Sequence, residues 1–489
     1  MLLTGGAQVL NIALSIFRMK ILALLLGPTG IGLLSIYNSL QSMVASTAGL
    51  GLSSSGVRQI ASAKGEAKAL IQVRRVLLTA HLVQGGIAMC GIWLLRAPIA
   101  VWLLNDESYS TEIGLIGIAV LLSLLSIART TLLQGLRRTE DLARVTILGA
   151  LVATVFGLAA VGFYGEAGLI WFVLLQPLGT LAVALYFTSR LPPPTSLKPT
   201  MPEVWALWKP MVKLGAVFML GGLATTSTLL LVRSLIAHEL GLGAAGQFAA
   251  AWGITMTYVG FLLGAMGADY YPRLSEVIND RPTAISLMND QAQLGLAIGG
   301  PILLLLIGLA PWAINLLYSV EFAPAAKLLQ WQTVGNVFKL ASWVLSISIV
   351  AAARGKTYFA MEMSFNIVFL ALVWLLLPSV GLGVTAVAFL LAYMVYFAVV
   401  NMLARRLHGF RWEKLSLNLL SAHMVLAFAL LALSLAAPLA GAIASSVLAV
   451  FTGVIGLRIV LQKVGPAGRL ASRIVQFYKI IGWPLEKND

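Results

Sequence analysis

Apolar residues in this chain run on for about twenty positions at a time without alternation, and short polar clusters interrupt them. Runs of that length suit helices rising about 1.5 Å per residue through a hydrocarbon layer roughly 30 Å thick. A barrel strand would instead alternate inward and outward over about ten residues. Scanning for windows of at least about 18 apolar-dominated residues predicts fourteen membrane helices. They cover 3–26, 30–52, 75–95, 112–136, 143–163, 167–188, 211–237, 246–268, 292–317, 327–353, 357–377, 382–404, 418–437 and 442–462.

The polar clusters orient these helices. Of 33 basic residues, 26 fall in the segments that follow even-numbered helices, in the tail, or at their flanks; two, Arg96 and Lys327, fall on the other side. Lys and Arg accumulate on the cytoplasmic side of membrane proteins, so both termini are expected there. The far-side connections are short, and the longest, near Arg96–Thr111, leaves no room for a folded external domain. The N-terminal run lacks a basic region and a small-residue cleavage site, and reads as a first membrane helix, not a cleaved signal. In the tail, Leu470, Ile474, Phe477 and Ile481 share one helical face and Arg469, Arg473 and Lys479 lie elsewhere, the pattern of a helix lying on anionic lipid.

A repeat is visible. Leu26-Gly27-Pro28-Thr29-Gly30 closes the first helix, and Leu242-Gly243-Ala244-Ala245-Gly246 follows the seventh, 216 residues later. Arg138 and Arg354 stand at the same offset. With six helices per half, both halves begin on the same side, so the repeats are parallel. The expected organisation is a first lobe over 1–190, a linker over 191–210, a second lobe over 211–405, two further helices over 406–462, and a tail over 463–489.

Composition agrees with this all-α polytopic reading. Hydrophobic residues make up 59%, charged residues only 10%, and mean hydropathy is +0.92, so the surface requires lipid as solvent. The formal net charge of +15 does not point to nucleic acid, because the bases punctuate membrane spans and form no patch on a soluble domain. One cysteine, Cys90, excludes an internal disulfide and a thiolate metal cage. No phosphate loop with its lysine, metal-ligand spacing or catalytic motif appears, so no cofactor is expected and the chain does not read as an enzyme.

What remains is charge at membrane depth. Arg18, Lys20, Arg129, Arg233 and Lys339 fall within spans, against Glu362 as the one comparable acid. Each such base costs about 2.5–3.5 kcal/mol at the bilayer centre on insertion scales and therefore normally faces protein or water. The five-to-one balance describes a passage for anions. Lys20 and Arg233 lie close enough to helix ends to snorkel; Lys339 lies mid-helix. Thr4, Gln8, Asn11, Ser15 and Arg18 form a polar stripe on the first helix, and Gln332, Asn336, Lys339 and Ser346 form one on the tenth. Tyr358, Glu362 and Asn366 share a face of the eleventh helix, while Asn38, Gln41 and Ser42 form a shorter patch on the second. Interhelical hydrogen bonding is the competing role for the uncharged members. Arg18, Lys20, Asn38, Gln41, Arg129, Arg233, Gln332, Asn336 and Lys339 are the substrate-binding candidates. Glu362 and His81 are the candidates for coupling to a proton or cation.

The segments Lys20–Gly32, reading KILALLLGPTGIG, and Phe322–Lys339, reading FAPAAKLLQWQTVGNVFK, resemble the Wzx-type lipid-linked oligosaccharide flippases. These include O-antigen translocases and the lipid III flippase, within the superfamily that also holds multidrug and toxic-compound extruders and the lipid II flippase. Trp331, Gln332, Gly335 and Lys339 match the family pattern, and the likeness extends over roughly residues 1–405. It implies two six-helix lobes around a cavity that opens to alternate sides. Its implied cargo is an undecaprenyl-diphosphate-linked oligosaccharide, moved from the cytoplasmic to the periplasmic leaflet of a bacterial inner membrane. Membrane lipids, glycan polymerase and chain-length proteins are the implied partners. The two helices beyond Leu417 depart from relatives that stop at twelve and resemble the lipid II branch. A cation or drug antiporter of the same fold would favour acidic interiors. A membrane glycan polymerase or ligase would carry a large external catalytic loop, and none is long enough here.

Overall fold

In a computed structural model the described residues are 2–63, 66–191, 201–465, 473–476, 478 and 480, and among them every regular element is helical. The helices are α1 (Leu2–Gly49), α2 (Leu52–Ser62), α3 (Ala67–Leu94), α4 (Arg96–Leu104), α5 (Ser110–Gly135), α6 (Thr139–Tyr164), α7 (Gly168–Ser189) and α8 (Met201–Leu240). There follow α9 (Leu242–Val277), α10 (Arg281–Leu317), α11 (Ala323–Ala351), α12 (Gly355–Val380), α13 (Val384–His408), α14 (Lys414–Ala436) and α15 (Pro438–Val464). Lipid cannot hydrogen-bond the backbone, so each segment satisfies its own N–H and C=O groups.

Among the described residues, twelve stretches are long and apolar enough to cross a membrane. Two of them are each divided by a break in the helix, at the boundaries between predicted helices one and two and between five and six. Leu10–Gly49 breaks at Gly27, whose φ of 61° and ψ of −165° suit glycine alone, and Pro28 then lacks the N–H that would continue the ladder. Thr139–Ser189 contains α6 and α7, joined by a single 3-10 turn at Gly165–Ala167. Several helices overrun their apolar windows: α8 starts at Met201, α9 ends at Val277 and α10 starts at Arg281. Hydropathy reports where lipid ends, whereas the hydrogen-bond ladder continues past that plane. Two short helices, α2 and α4, occupy connections read from sequence as loops, because neither is long enough to span. Of the predicted tail helix, Arg473 and Ile474 are helical, while Arg469, Leu470, Phe477, Lys479 and Ile481 lie outside the described residues.

Contacts divide the chain into two units, Met1–Ala249 with Leu316–Phe322, and Ala250–Asn315 with Ala323–Asp489. Within the first, the two glycine motifs of the repeat meet. A Cβ on Gly32 would fall 2.0 Å from the Leu242 carbonyl oxygen, and one on Gly246 would fall 1.8 Å from that of Pro28. Without side chains there, the start of α9 and the second half of α1 cross backbone to backbone, the close approach by which small residues join membrane helices.

In the second unit α11 is central; 72% of its apolar window is buried, against 22% for α15. The additional pair α14–α15 docks on α10. Asn289 donates to the Arg411 carbonyl at 3.0 Å and accepts from the Glu413 amide at 2.9 Å and the Ser416 hydroxyl at 2.8 Å. Gly300 faces His423, Gly308 faces Ser445, and Gly456 faces the Ala297 carbonyl, so small residues line this contact along its length.

Candidate functional site

The first unit contains a polar trough. The second half of α1 turns Asn38, Gln41, Ser42, Ala45 and Ser46 to one side, at the three-and-four spacing of a helix face. Arg18 comes from the first half of α1, Ser123 and Ser126 from α5, and Gln176 and Thr180 from α7. They line a cavity of about 450 Å³, within the usual size of small-molecule sites. Ser42, Ala45 and Ile127 also line an adjoining cavity of about 400 Å³, whose other walls include Ser46, Ser53, Ser54 and His81. No acid is among the residues lining either cavity.

Arg18 supplies the charge. Its guanidinium lies over the Phe172 ring at 5.4 Å, a cation–π contact, and its Nε has no protein partner. Gln41 donates to the Ser123 hydroxyl at 2.8 Å, which ties α1 to α5 and holds the wall in place. His81 is fully buried; its Nδ1 lies 2.7 Å from the Leu77 carbonyl, which assigns the proton to Nδ1 and leaves Nε2 as an acceptor without a partner.

The other predicted bases of this unit do different work. Lys20 donates to the Tyr318 carbonyl, just past the end of α10, where helix carbonyls lack intrahelical donors. Arg233 donates to the Ser35 carbonyl at 2.9 Å and to the Ser39 hydroxyl, pinning α8 to α1. Arg129 lies near Arg74 of α3 and lines neither cavity. Of the nine substrate-binding candidates, the trough thus gathers Arg18, Asn38 and Gln41.

The second unit gathers three more. Along α11, Gln332 accepts from Thr255 at 2.9 Å, Asn336 lies against the Tyr258 hydroxyl, and the Lys339 ammonium lies 3.2 Å from Met256 Sδ and 5.4 Å from the centre of the Tyr393 ring. Glu362 on α12 accepts from the Tyr396 hydroxyl at 2.6 Å, and Asn366 donates to the Glu362 carbonyl at 2.9 Å. Sequence reasoning did not single out Gln176, Thr180, Ser123 and Ser126. Their signal was present: pairs of polar residues at i, i+4 and i, i+3 in otherwise apolar helices. Met256 and Tyr393 carried none, since a methionine or tyrosine in a membrane helix reads as packing.

This helical framework shares its fold with a solved MATE family transporter and a solved lipid II flippase. The solved structure of the lipid II flippase MurJ, in an inward closed conformation, superposes with a TM-score of 0.71 at 14% identity, covering 95% of this chain and all of that one. An inward-facing multidrug resistance MATE family transporter gives a TM-score of 0.69 at 15% identity over 82% of this chain and 94% of that chain. The chain belongs to the polysaccharide biosynthesis protein family, whose profile matches residues 21–327. It is similar to the lipid III flippase of Escherichia coli strain K12, 24% identical over 406 residues that span 81% of this chain and 95% of the relative. The lipid III flippase of Shigella flexneri matches to the same extent.

Proposed function

We propose that this chain is a flippase that carries an undecaprenyl-diphosphate-linked oligosaccharide from the cytoplasmic to the periplasmic leaflet of a bacterial inner membrane, by alternating access. The observation that carries this reading is the trough of the first unit. It has one permanent cation, Arg18, at one end, a run of amides and hydroxyls beyond it, and no acid in its lining. A guanidinium pairs with phosphate through charge-assisted hydrogen bonds, and amides with hydroxyls suit the donor and acceptor pattern of sugars. Membership of a polysaccharide biosynthesis family and likeness to lipid III flippases support the same cargo. Lys339 and the Gln332–Asn336 row form the corresponding anion contacts of the second unit. Glu362 and His81 are the groups through which a proton or cation would drive the cycle. Glycan polymerase and chain-length proteins are the expected partners at the membrane.

The test is complementation of a flippase-deficient bacterium, scored by surface glycan at matched membrane levels of protein. Losing one charge-assisted hydrogen bond of about 1.5–3 kcal/mol corresponds to a roughly 10- to 150-fold fall in transport. Arg18→Ala is expected to fall in that range and Arg18→Lys to retain part of the activity. Normal export by Arg18→Ala would remove the basis for a phosphate contact. Restoration of a lipid II flippase deficiency in place of surface glycan would favour the lipid II branch, whose representative shares the fold over nearly the whole chain.

A further inference from the structure

Lys339 sits mid-way along α11 in the second unit, and soft, uncharged partners hold its ammonium. The Met256 sulfur is a weak acceptor and the Tyr393 ring offers only its face. Among the described residues no carboxylate comes within the 4.0 Å of an ion pair. Glu362 is close enough to act on the ammonium electrostatically, but its carboxylate is engaged by Tyr396. An ammonium held in this way is restrained but not neutralised.

Polar side chains share its face of α11. The side-chain Nε2 of Gln332 is buried without a partner, Asn336 lies against the Tyr258 hydroxyl, and Gln332 and Asn336 are fully enclosed. Gln332, Asn336 and Lys339 stand at i, i+4 and i+7 on α11, facing the stretch of α9 that carries Thr255, Met256 and Tyr258. A buried side-chain N–H without an acceptor, on the same helix face as a cation, is a group that an anion can satisfy.

We propose that Met256 and Tyr393 form a cage that parks the Lys339 ammonium while no anion is bound, and that a phosphate-bearing headgroup draws it out toward the Gln332 and Asn336 amides. This rests on the reading of the cargo as a lipid diphosphate. Met256 and Tyr393 are then positioning residues, acting through the lysine and not on the cargo. A carboxylate partner would hold the lysine too firmly for cargo to displace; a sulfur and a ring keep it in register and yield. Parking also lowers apparent affinity by the fraction of time the lysine is unavailable.

The experiment uses the full chain in lipid nanodiscs, titrated with inorganic pyrophosphate and followed by the rise in unfolding temperature. Met256→Leu and Tyr393→Leu are expected to bind about three- to tenfold more tightly than wild type, because the cage no longer competes. Adding Lys339→Met to either is expected to abolish the gain. Leucine is close to methionine in volume, so Met256→Leu carries the test should Tyr393→Leu fail to fold. Cage variants that bind no more tightly than wild type, or a gain that survives Lys339→Met, would overturn the proposal. Arg18→Ala is measured alongside. Binding that depends on Arg18 but ignores the cage defeats the parked lysine and leaves the cargo reading standing, whereas no binding by any form defeats both.

Discussion

The meeting of the two glycine motifs makes a prediction that separates positions the sequence treats as equivalent. Gly243 and Gly246 belong to one motif, yet a Cβ at Gly243 would meet nothing nearer than the Thr29 hydroxyl at 3.8 Å, while one at Gly246 would lie 1.8 Å from the Pro28 carbonyl oxygen. Ordinary carbon–oxygen contact requires the start of α9 to retreat from α1 by roughly 1.5 Å. The obstacle is backbone, so no side chain can rotate aside. Overpacking typically costs about 1–3 kcal/mol, and a backbone clash belongs at the upper end. For a unit of this size about 3 kcal/mol lowers the unfolding midpoint by roughly 6–10 °C. Gly246→Ala is therefore expected to melt that much earlier than wild type at a fixed scan rate in detergent, and Gly243→Ala to melt within about 2 °C of it. Fluorescence-detected size exclusion after heating reads both. Equal midpoints for the two variants, in either direction, would refute the crossing as described.

Two further outcomes follow from the helix contacts. Asn289→Ala removes three hydrogen bonds to the Arg411–Ser416 segment, at a cost of about 2–4 kcal/mol, and limited proteolysis is expected to nick the 409–413 connection that wild type protects. Arg233→Met breaks the clasp to Ser35 and Ser39, costing about 1.5–3 kcal/mol in stability, with cargo affinity unchanged in the protein that remains folded. Cargo affinity lost at unchanged stability would instead make Arg233 a cargo contact.

Much of the architecture was legible because lipid imposes it. An apolar run of a given length can only be a helix, and Gly27-Pro28 marks where one helix stops and the next begins. The repeat was legible as two similar strings, but not that the strings touch, since sequence similarity holds no information about distance. α2 and α4 escaped because hydropathy windows are tuned to a full crossing. For the site, periodicity gave each residue a depth and a face along its own helix. It could not give the neighbour opposite that face. Arg18, Asn38 and Gln41 converge because α1 doubles back at Gly27, a tertiary consequence of one backbone angle. Thr4 and Gln8 continue the Arg18 stripe in sequence, but their side chains lie outside the described residues.

Five bases in the spans looked from sequence like one cationic lining, and the structure assigns them unlike electrostatic roles. A lysine on a terminal carbonyl, or an arginine on a carbonyl and a hydroxyl, spends its hydrogen bonds on the fold while its charge persists. On the proposed function such residues raise the potential of the interior without meeting the cargo atom to atom. Arg18 lines an open trough and has a buried, unpartnered Nε, while Lys339 contacts only Met256 and the face of Tyr393. Long-range attraction and contact are thus divided among different residues. Replacing Lys20 or Arg233 with a neutral residue should lower the rate at which an anion is captured and make capture less sensitive to salt, whereas replacing Arg18 should weaken the bound state itself. The division follows from hydrogen-bond partners alone, so it holds for any anionic cargo the trough accepts.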